Sequence, residues 1–565
     1  MSKSETNPNQ KPLGARAFLT AKARDCSHAG KMPALPGGSF EPASRSTLHA
    51  LHAPPPDPRI LWSVICALLL FSAPAAHAHI GSPDVFYDGM IGPYPARVTI
   101  RMPTVVPGRA EIIARVQATQ PVQVSFLPLY AHTSTSNAPP PDPGVLVNGE
   151  TNLYTGELWL MSSGGYSINV QIHGDAGAGS VEIPVTSVAT KQLPLPFGLG
   201  KLLLALGAIL VFGGLAIVSA AARESILPPG AVPGSRERRN GIVAGAVTAL
   251  IFVLALAGGK KWWSVEEQDF RRHLREGAWP DLTAGVRTEG SQHILLLNFG
   301  EQSAPRDAYL SLLPDHGKLL HLFLIREPDR DILAHLHPIR KAGKTFEAAL
   351  PPIPPGSYRI FCDLTLEDSG MSSTATNSVE IPPIPRDTGA ANVLESDPDD
   401  SWAVAAVPGA GTVFRLVDGT EFEWKRKPPL HAKEEAGLRF QVRTATGEPA
   451  DLEPYMGMLC HAAVLRADGA VFAHLHPSGN YSMAAQAFFE SKFQREQNGN
   501  GTEAAAPPAP MDHAAMGHMH HAHSSSGTSE VYVPYEFPTP GDYRIWVQFK
   551  IKGQVLTAVF NATVL

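Results

Sequence analysis

Alternating apolar and polar residues, interrupted by turn residues, occupy most of the chain outside two continuous apolar stretches. In the first of three regions, residues 79–190, such runs are ARVTIRM, AEIIARVQA, VQVSFLPLY, YSINVQI and SVEIPV. A period of two is typical of strands with one buried face. Many short strands divided by turns predict a β-sandwich.

The rest of the chain contains an internal repeat. Region two covers residues 265–385 and region three covers residues 386–565. LLHLFLIREPDRDILAHLHP in region two matches LCHAAVLRADGAVFAHLHP in region three, and PPGSYRIFCDLTL matches TPGDYRIWVQFKI. Such self-similarity predicts that both regions share one supersecondary plan. The expected fold is mainly β, with several sandwich domains and two transmembrane α-helices.

The two continuous apolar stretches cover residues 197–222 and 241–259. Each is close to the ~20 residues that cross a bilayer core. Residues 223–240, between them, carry four arginines, so the positive-inside rule predicts a cytoplasmic loop. Regions one, two and three would then all face the periplasm.

Residues 59–78 have the pattern of an export signal. A positive charge and a short apolar run precede Ala76-His77-Ala78, which predicts a cleaved signal peptide. An uncleaved membrane anchor is the weaker alternative because the apolar run is short. Cleavage would leave His79 at the N-terminus, where its α-amine and imidazole together suit Cu(II). Residues 1–58 are polar and proline-rich, so we expect disorder there or a start site further downstream.

Composition excludes several functions. The net charge of −6 gives no basic field for nucleic acid. Four cysteines are too few for a disulfide scaffold, although Cys362 and Cys460 could pair in an oxidising compartment. The chain lacks a hydrolase triad order, an H-E-x-x-H motif and a phosphate-binding glycine loop, so we do not expect an enzyme.

Histidines occupy matching positions in the two repeated hairpins. In region three the turn signal Asp468-Gly469 pairs His461 with His476 across the hairpin. His474 lies two residues from His476 and therefore shares its face.

In region two a three-residue turn, Pro328-Asp329-Arg330, pairs His321 with His337 and places His335 beside them. Three convergent imidazoles predict a ligand set for Cu(II) or Zn(II). A purely structural role remains the alternative, because homology between repeats could preserve one packing role twice.

Region three also contains an insert, from about Glu490 to Glu530, that is rich in methionine and histidine. Within PMDHAAMGHMHHAH the candidate ligands are Met511, His513, Met516, His518, Met519, His520, His521 and His523. Thioether and imidazole groups on a flexible tract bind Cu(I), Cu(II) or Ag(I) without a fold. The alternative is a solvated linker.

Two segments of region one, HIGSPDVFYDGMIGPYPARVTI and QIHGDAGAGSVEIPV, resemble the YtkA-like and FixH-like envelope proteins. GSYRIFCDLTLEDSGMSSTAT in region two is similar to the closing strands of the same sandwich. The resemblance implies immunoglobulin-like β-sandwiches and a link with copper or with assembly of copper-containing respiratory enzymes. His79 also matches the N-terminal histidine of periplasmic copper-resistance carriers.

These observations favour a non-enzymatic protein of the inner membrane that binds copper or silver in the periplasm, for resistance or for delivery to another envelope protein or copper enzyme. One alternative is an envelope protein-interaction or assembly module in which the histidines are incidental. Another is an oxidative copper enzyme built around His79, for which the sequence offers no partner histidine.

Overall fold

The structure is a computed structural model that describes residues 84–191, 193–228, 230–276, 281–300, 310–383, 394–404, 411–426, 428–497 and 529–565. For residues 269–276 it describes the backbone alone. The expected signal segment, His79, and the methionine/histidine ligands from Met511 to His523 lie outside these residues.

Region one forms a β-sandwich. Its strands are β1 Val85–Ile91, β2 Tyr94–Arg101, β3 Gly108–Val116, β4 Gln123–Tyr130, β5 Asp142–Pro143, β6 Val145–Leu146, β7 Leu153–Leu160, β8 Gly164–Gly174 and β9 Gly177–Ser187. One antiparallel sheet has the order β1-β2-β3-β7-β6 and the other β5-β4-β8-β9. Along β3, buried Ala110, Ile112 and Ala114 alternate with more exposed residues. This period of two confirms the sandwich prediction for the region.

Two long helices follow, α1 Phe197–Glu224 and α2 Ser235–Glu276. They pack against each other, and Phe252 of α2 lies against Gly214 of α1. Phe197–Glu224 and Ser235–Gln268 are long and apolar enough to cross a membrane. Their apolar side chains are largely exposed, with Leu204 at 75% and Phe212 at 70%, which is the exposure expected of lipid-facing residues.

The second helix is longer than its apolar stretch. The apolar pattern predicts a helix over 241–259 and a loop over 223–240, whereas α2 already begins at Ser235 and continues to Glu276. Residues 260–276 contain neither proline nor glycine and are rich in Lys, Glu and Arg, which are good helix formers. The helix therefore extends beyond the apolar stretch at both ends.

Region two is a second sandwich. Its strands are β10 Leu282–Glu289, β11 Gln292–Phe299, β12 Leu312–Leu313, β13 His321–Arg326, β14 Ile332–Leu336, β15 Ile339–Ala342, β16 Thr345–Ala349, β17 Gly356–Leu366, β18 Ser372–Ile381 and β19 Ser401–Val404. One sheet has the order β10-β11-β16-β15, and the other has the order β12-β17-β13-β14-β19 with β18 also paired to β17. Strand β19 belongs to this sheet although its residues lie within 386–565, the range that the repeat pattern assigns to region three.

Region three is the third sandwich. Its elements are β20 Val413–Arg415, β21 Glu421–Trp424, β22 Leu438–Arg443, β23 His461–Arg466, β24 Phe472–Leu475, α3 Met483–Gln497, β25 Glu530–Val533, β26 Gly541–Ile551 and β27 Gln554–Val564. The sheets have the orders β20-β21-β22-β25 and β24-β23-β26-β27. The low-complexity insert was expected from about Glu490, but residues 490–497 continue α3, whose first half is buried.

The two repeated sheets pack face to face. A separate apolar cluster fills the space between them: Phe323, Ile325, Leu333 and Phe361 from region two, with Ala463, Leu465, Phe472, Trp546 and Val559 from region three. Phe361 stacks on Phe472 with ring centroids 4.1 Å apart. The hairpins that carry the histidines therefore face each other across this interface.

Region one packs on region three as well. The Asp88 amide donates to the Ser478 carbonyl at 2.9 Å, and the Phe86 amide donates to Asn480 Oδ1 at 2.8 Å. Tyr481 and Met483 of region three lie in the core of region one. Segments before α1 and after α2 thus form one contiguous body.

Candidate metal centre

The hairpin registers agree with the sequence-based prediction. In region three Ala462 pairs with Leu475, so that His461 lies opposite His476. In region two Leu322 pairs with Leu336, so that His321 lies opposite His337. The turn in region three is longer than the predicted Asp468-Gly469 pair: the Arg466 amide donates to the Val471 carbonyl at 2.9 Å and the Gly469 amide to the Arg466 carbonyl at 2.8 Å, so the loop covers residues 467–470. Gly469 has a φ of +72°, and the histidine register is the predicted one.

The two hairpins bring seven histidines into one buried group, which we call the histidine cluster: His316, His321, His335, His337, His461, His474 and His476. Rings from opposite repeats are close neighbours. The ring centroid of His474 lies 5.4 Å from that of His321 and 5.6 Å from that of His335. The sequence predicts two separate three-histidine sites, whereas the structure joins them in one chamber.

His316 is the member that the hairpin pattern did not predict. It lies in the tight turn Asp315–Lys318 just before β13, with a φ of +50°. The repeat places Met456 at the same position, with a φ of +49°. Aligning PDHGKLLH with PYMGMLCH could have drawn attention to His316, but only sheet packing shows that it approaches His461 and His476 of the other repeat.

Two groups of three histidines have ligand atoms within 4.8 Å of one another. The first trio is His321, His335 and His337, all from region two. The second trio is His316 from region two with His461 and His476 from region three. Of the predicted region-three set, His474 contacts both trios by its ring but belongs to neither.

In the first trio, an outer hydrogen bond fixes the tautomer of each ring. His321 Nε2 donates to the Asp315 carbonyl at 3.1 Å, and His335 Nδ1 donates to Gln548 Oε1 at 3.0 Å. His337 Nδ1 lies 3.0 Å from Asp400 Oδ1. A neutral imidazole that donates from one nitrogen keeps a lone pair on the other. Each ring therefore presents a lone pair, as metal-ligating histidines do.

Two of these lone pairs face each other. His321 Nδ1 and His335 Nε2 lie 3.3 Å apart, and in these tautomers neither carries a proton. Two facing acceptors repel unless a cation lies between them. A tetrahedral ion with bonds of about 2.0–2.1 Å needs ligand nitrogens separated by about 3.3–3.4 Å. The spacing of this pair fits such an ion. The third ligand atom would be Nε2 of His337, which is buried and has no hydrogen-bond partner among the described residues.

The second trio is less organised. Both ring nitrogens of His461 and of His476 are buried and lack hydrogen-bond partners in the described part of the chain. A buried polar atom without a partner costs about 1–3 kcal/mol. Binding a cation would satisfy one nitrogen of each ring, but no outer partner fixes their tautomers as in the first trio.

Outer hydrogen bonds also cross between the repeats in matching pairs. Asp363 of β17 accepts from His474 Nδ1 at 3.2 Å, just as Gln548 of β26 accepts from His335. Asp363 pairs with His321 across the sheet, and Gln548 pairs with His461. Each repeat thus orients a histidine of the other, so the two halves form the centre jointly.

Burial keeps four rings of the cluster neutral. Desolvation, followed by repulsion from neighbouring imidazoles, lowers the pKa of His321, His335, His461 and His476 well below its ordinary value. Neutral imidazole is the form that binds a metal ion, and low-pKa rings need not lose a proton first at neutral pH.

A cavity of about 180 Å³ reaches the cluster from the junction of the three regions. His321, His474 and His476 line it together with the carboxylates of Asp315 and Asp363. Residues of region one line it as well, among them Met102 and Val185.

The two remaining cysteines do not pair. Cys362 lies in the core of region two and Cys460 in the core of region three, and both are free thiols. Burial raises the pKa of each thiol, which holds both in the protonated form.

A family model described as a domain of unknown function (DUF8832) matches residues 415–500 and 510–565. The match covers about a quarter of the chain and includes His461, His474 and His476. No curated protein sequence matches the chain.

Among solved structures, a variant of an endo-fucoidan hydrolase from glycoside hydrolase family 107 is 9% identical with a TM-score of 0.12, and the match covers 80% of this chain and 42% of the hydrolase. An ICAM-5 D1-D4 ectodomain fragment is 10% identical with a TM-score of 0.13, over 84% of both chains. Sidekick-1 immunoglobulin domains 1-5 are 9% identical with a TM-score of 0.10, over 86% of this chain and 73% of the other. This chain spans less than half of the hydrolase. At such TM-scores none of the three carries an argument about function.

Proposed function

We propose that this protein is a membrane-anchored metal-binding protein whose histidine cluster holds two ions, with copper as the physiological metal. The observation that carries the proposal is the pair of facing lone pairs on His321 and His335, 3.3 Å apart and each oriented by an outer hydrogen bond. This arrangement is unfavourable when empty and complementary to a cation.

Imidazole ligands suit Cu(II) and Zn(II), and three of them suffice for Cu(I). Copper is favoured over zinc by the resemblance to YtkA-like and FixH-like proteins and by the methionine-rich stretch from Met511 to His523, whose thioethers suit Cu(I) and Ag(I). The first trio, with its tautomers fixed, should bind more tightly than the second.

We place the cluster in the periplasm. Region one precedes α1, regions two and three follow α2, and region one packs on region three. They therefore lie on the same side of any bilayer that both helices cross. The arginines between the helices favour a cytoplasmic loop, and the export signal favours the periplasm for region one. The role is metal capture for resistance or for delivery to a copper enzyme.

The test counts bound ions. The full chain, purified in detergent with residues 510–523 deleted so that the histidine-rich stretch does not contribute, is loaded with Cu(II), Cu(I) or Zn(II), desalted and measured by elemental analysis. We expect two copper ions per chain, one after His335→Ala with His337→Ala, and one after His461→Ala with His476→Ala.

The matched control is His132→Ala with His173→Ala, which removes two exposed histidines of region one. It should still bind two ions. An unchanged count in both cluster variants, with circular dichroism showing a folded protein, would refute the assignment. A folded wild type that retains no metal would favour the protein-interaction alternative.

A further inference from the structure

We propose that the cavity between the three regions is the port of the metal centre, and that His474 is the ligand that passes an ion from the port to either trio. This inference rests on the proposed metal-binding function and concerns the route by which the ions arrive. Three observations carry it: the lining of the cavity, the tautomer of His474 and the position of its ring.

The cavity reaches the cluster directly. Three of the seven histidines line it. His321 belongs to the first trio, His476 belongs to the second, and His474 lies between the two trios. The carboxylates of Asp315 and Asp363 line the same space, and two acidic groups beside a partly enclosed cavity attract cations. His335, His337 and His461 lie behind these residues and are buried.

His474 is held as a lone-pair donor. Its Nδ1 donates to Asp363 Oδ2 at 3.2 Å, which leaves the lone pair on Nε2. The side chain is 8% exposed, and Nε2 is buried with no hydrogen-bond partner among the described residues. Thr374 donates to the other oxygen of Asp363, so the carboxylate itself is fixed.

The His474 ring lies between the two trios. Its centroid is 5.4 Å from that of His321 and 4.5 Å from that of His476. An ion bound to Nε2 of His474 therefore needs to move only a few ångströms to join either trio. Each step is a ligand exchange. An imidazole lone pair bonds to the ion as a water molecule or the previous imidazole leaves it, and the oxidation state of the ion does not change.

The experiment measures the rate of loading. Cu(II), supplied as its glycine complex, is mixed with the full chain lacking residues 510–523, and copper–imidazole absorbance is followed by stopped flow. Ser373→Trp places a bulky ring on the cavity wall, whereas Ser378→Trp makes the same change at an exposed position of the same strand, β18. His474→Gln removes the transfer ligand and keeps a donor for Asp363.

We expect Ser373→Trp and His474→Gln each to slow loading at least tenfold while the final ion count stays at two, and Ser378→Trp to load as wild type does. Wild-type rates in both test variants, with a normal final count, would overturn the port and leave the two-ion proposal intact. A lower final count in His474→Gln would overturn the transfer role and make His474 a permanent ligand. Thermal unfolding of each apo variant controls for folding, and His474→Gln keeps the test decisive if the tryptophan variant does not fold.

Discussion

His316 and Met456 occupy the same turn position in the two repeats and differ in what they offer a metal ion. Both have φ near +50°, and each is followed by a glycine with φ of +79°. The backbone therefore accepts either side chain, although such φ values are uncommon for residues other than glycine. This turn position can therefore hold either His, which completes the second trio in region two, or Met, as in region three, without a change in the backbone.

This equivalence gives a test at the scale of one residue. In His316→Met we expect the second trio to lose at least tenfold in affinity for Zn(II), while Cu(I) is retained because a thioether suits the softer ion. Apo stability should fall by about 1 kcal/mol, the usual size for a substitution at a buried side chain that leaves the backbone unchanged.

Competition titrations with chelators measure the two affinities, and His132→Met, at an exposed position, is the control. Equal losses of affinity for Zn(II) and Cu(I) would show that the methionine thioether does not take the place of His316 as a ligand.

Six of the seven clustered histidines follow from the sequence, because the Asp-Gly turn and the period of two fix which residues share a face. The trio to which each belongs does not follow. That depends on how the two sheets pack, and no local pattern encodes the approach of His316 to His461 or the bond between His474 and Asp363.

At the scale of elements, helix α3 packs on region one with the carboxyl of Glu490 near that of Glu182. It lies against β9, where Glu182 accepts from Ser167 and Asn169. Burial, with Glu182 nearby, raises the pKa of Glu490 to about 7. The sequence predicts an insert from Glu490 instead of a helix, because Met483–Gln497 has little helical periodicity of apolar residues and runs directly into a low-complexity tract.

The raised pKa makes the docking of α3 sensitive to pH. A carboxyl whose pKa is higher in the fold than its ordinary 4.5 contributes stability that is complete below pH 4.5 and is lost as the pH rises through 7. The loss amounts to about 3 kcal/mol at most. Hydrogen exchange of α3 amides, corrected for the intrinsic pH effect, should therefore accelerate between pH 5.5 and 8.

Glu490→Gln should remove most of this acceleration, since an amide does not titrate, while Glu434→Gln at an exposed position should not. Equal pH responses in wild type and Glu490→Gln would mean that another group controls the docking.

At the scale of the whole molecule, the apolar cluster between the repeats holds the metal centre together. Phe361→Ala removes the ring stacked on Phe472 and should destabilise this interface by about 3–5 kcal/mol. Copper retention should then fall although no histidine has changed. The second trio takes its histidines from both repeats, and His335 of the first trio is oriented by Gln548 of the other repeat.

The control is Trp402→Ala on β19 of the same sheet, where the ring is 42% exposed. Elemental analysis and thermal unfolding are compared for the two variants. Full copper retention in a destabilised Phe361→Ala protein would show that the hairpins hold metal without the interface.

The sandwiches and both long helices could be predicted from the chain, since alternation and apolar length are local signals. The packing of the three regions into one body could not, because it depends on residues such as Phe361 and Trp546 that read as ordinary core positions in a strand. Residues 401–404 are a further case: as β19 they pair with β14 of the preceding region.

The crossed pairing of the repeats resembles a two-fold dimer in which both partners belong to one polypeptide. A protein with a single repeat could assemble such a chamber only by association, and dilution would dissolve it. Here the covalent link replaces association with an intramolecular step whose effective concentration is about millimolar or higher. A few copies in a membrane therefore form the chamber as completely as many, and a scarce protein still captures metal at full strength.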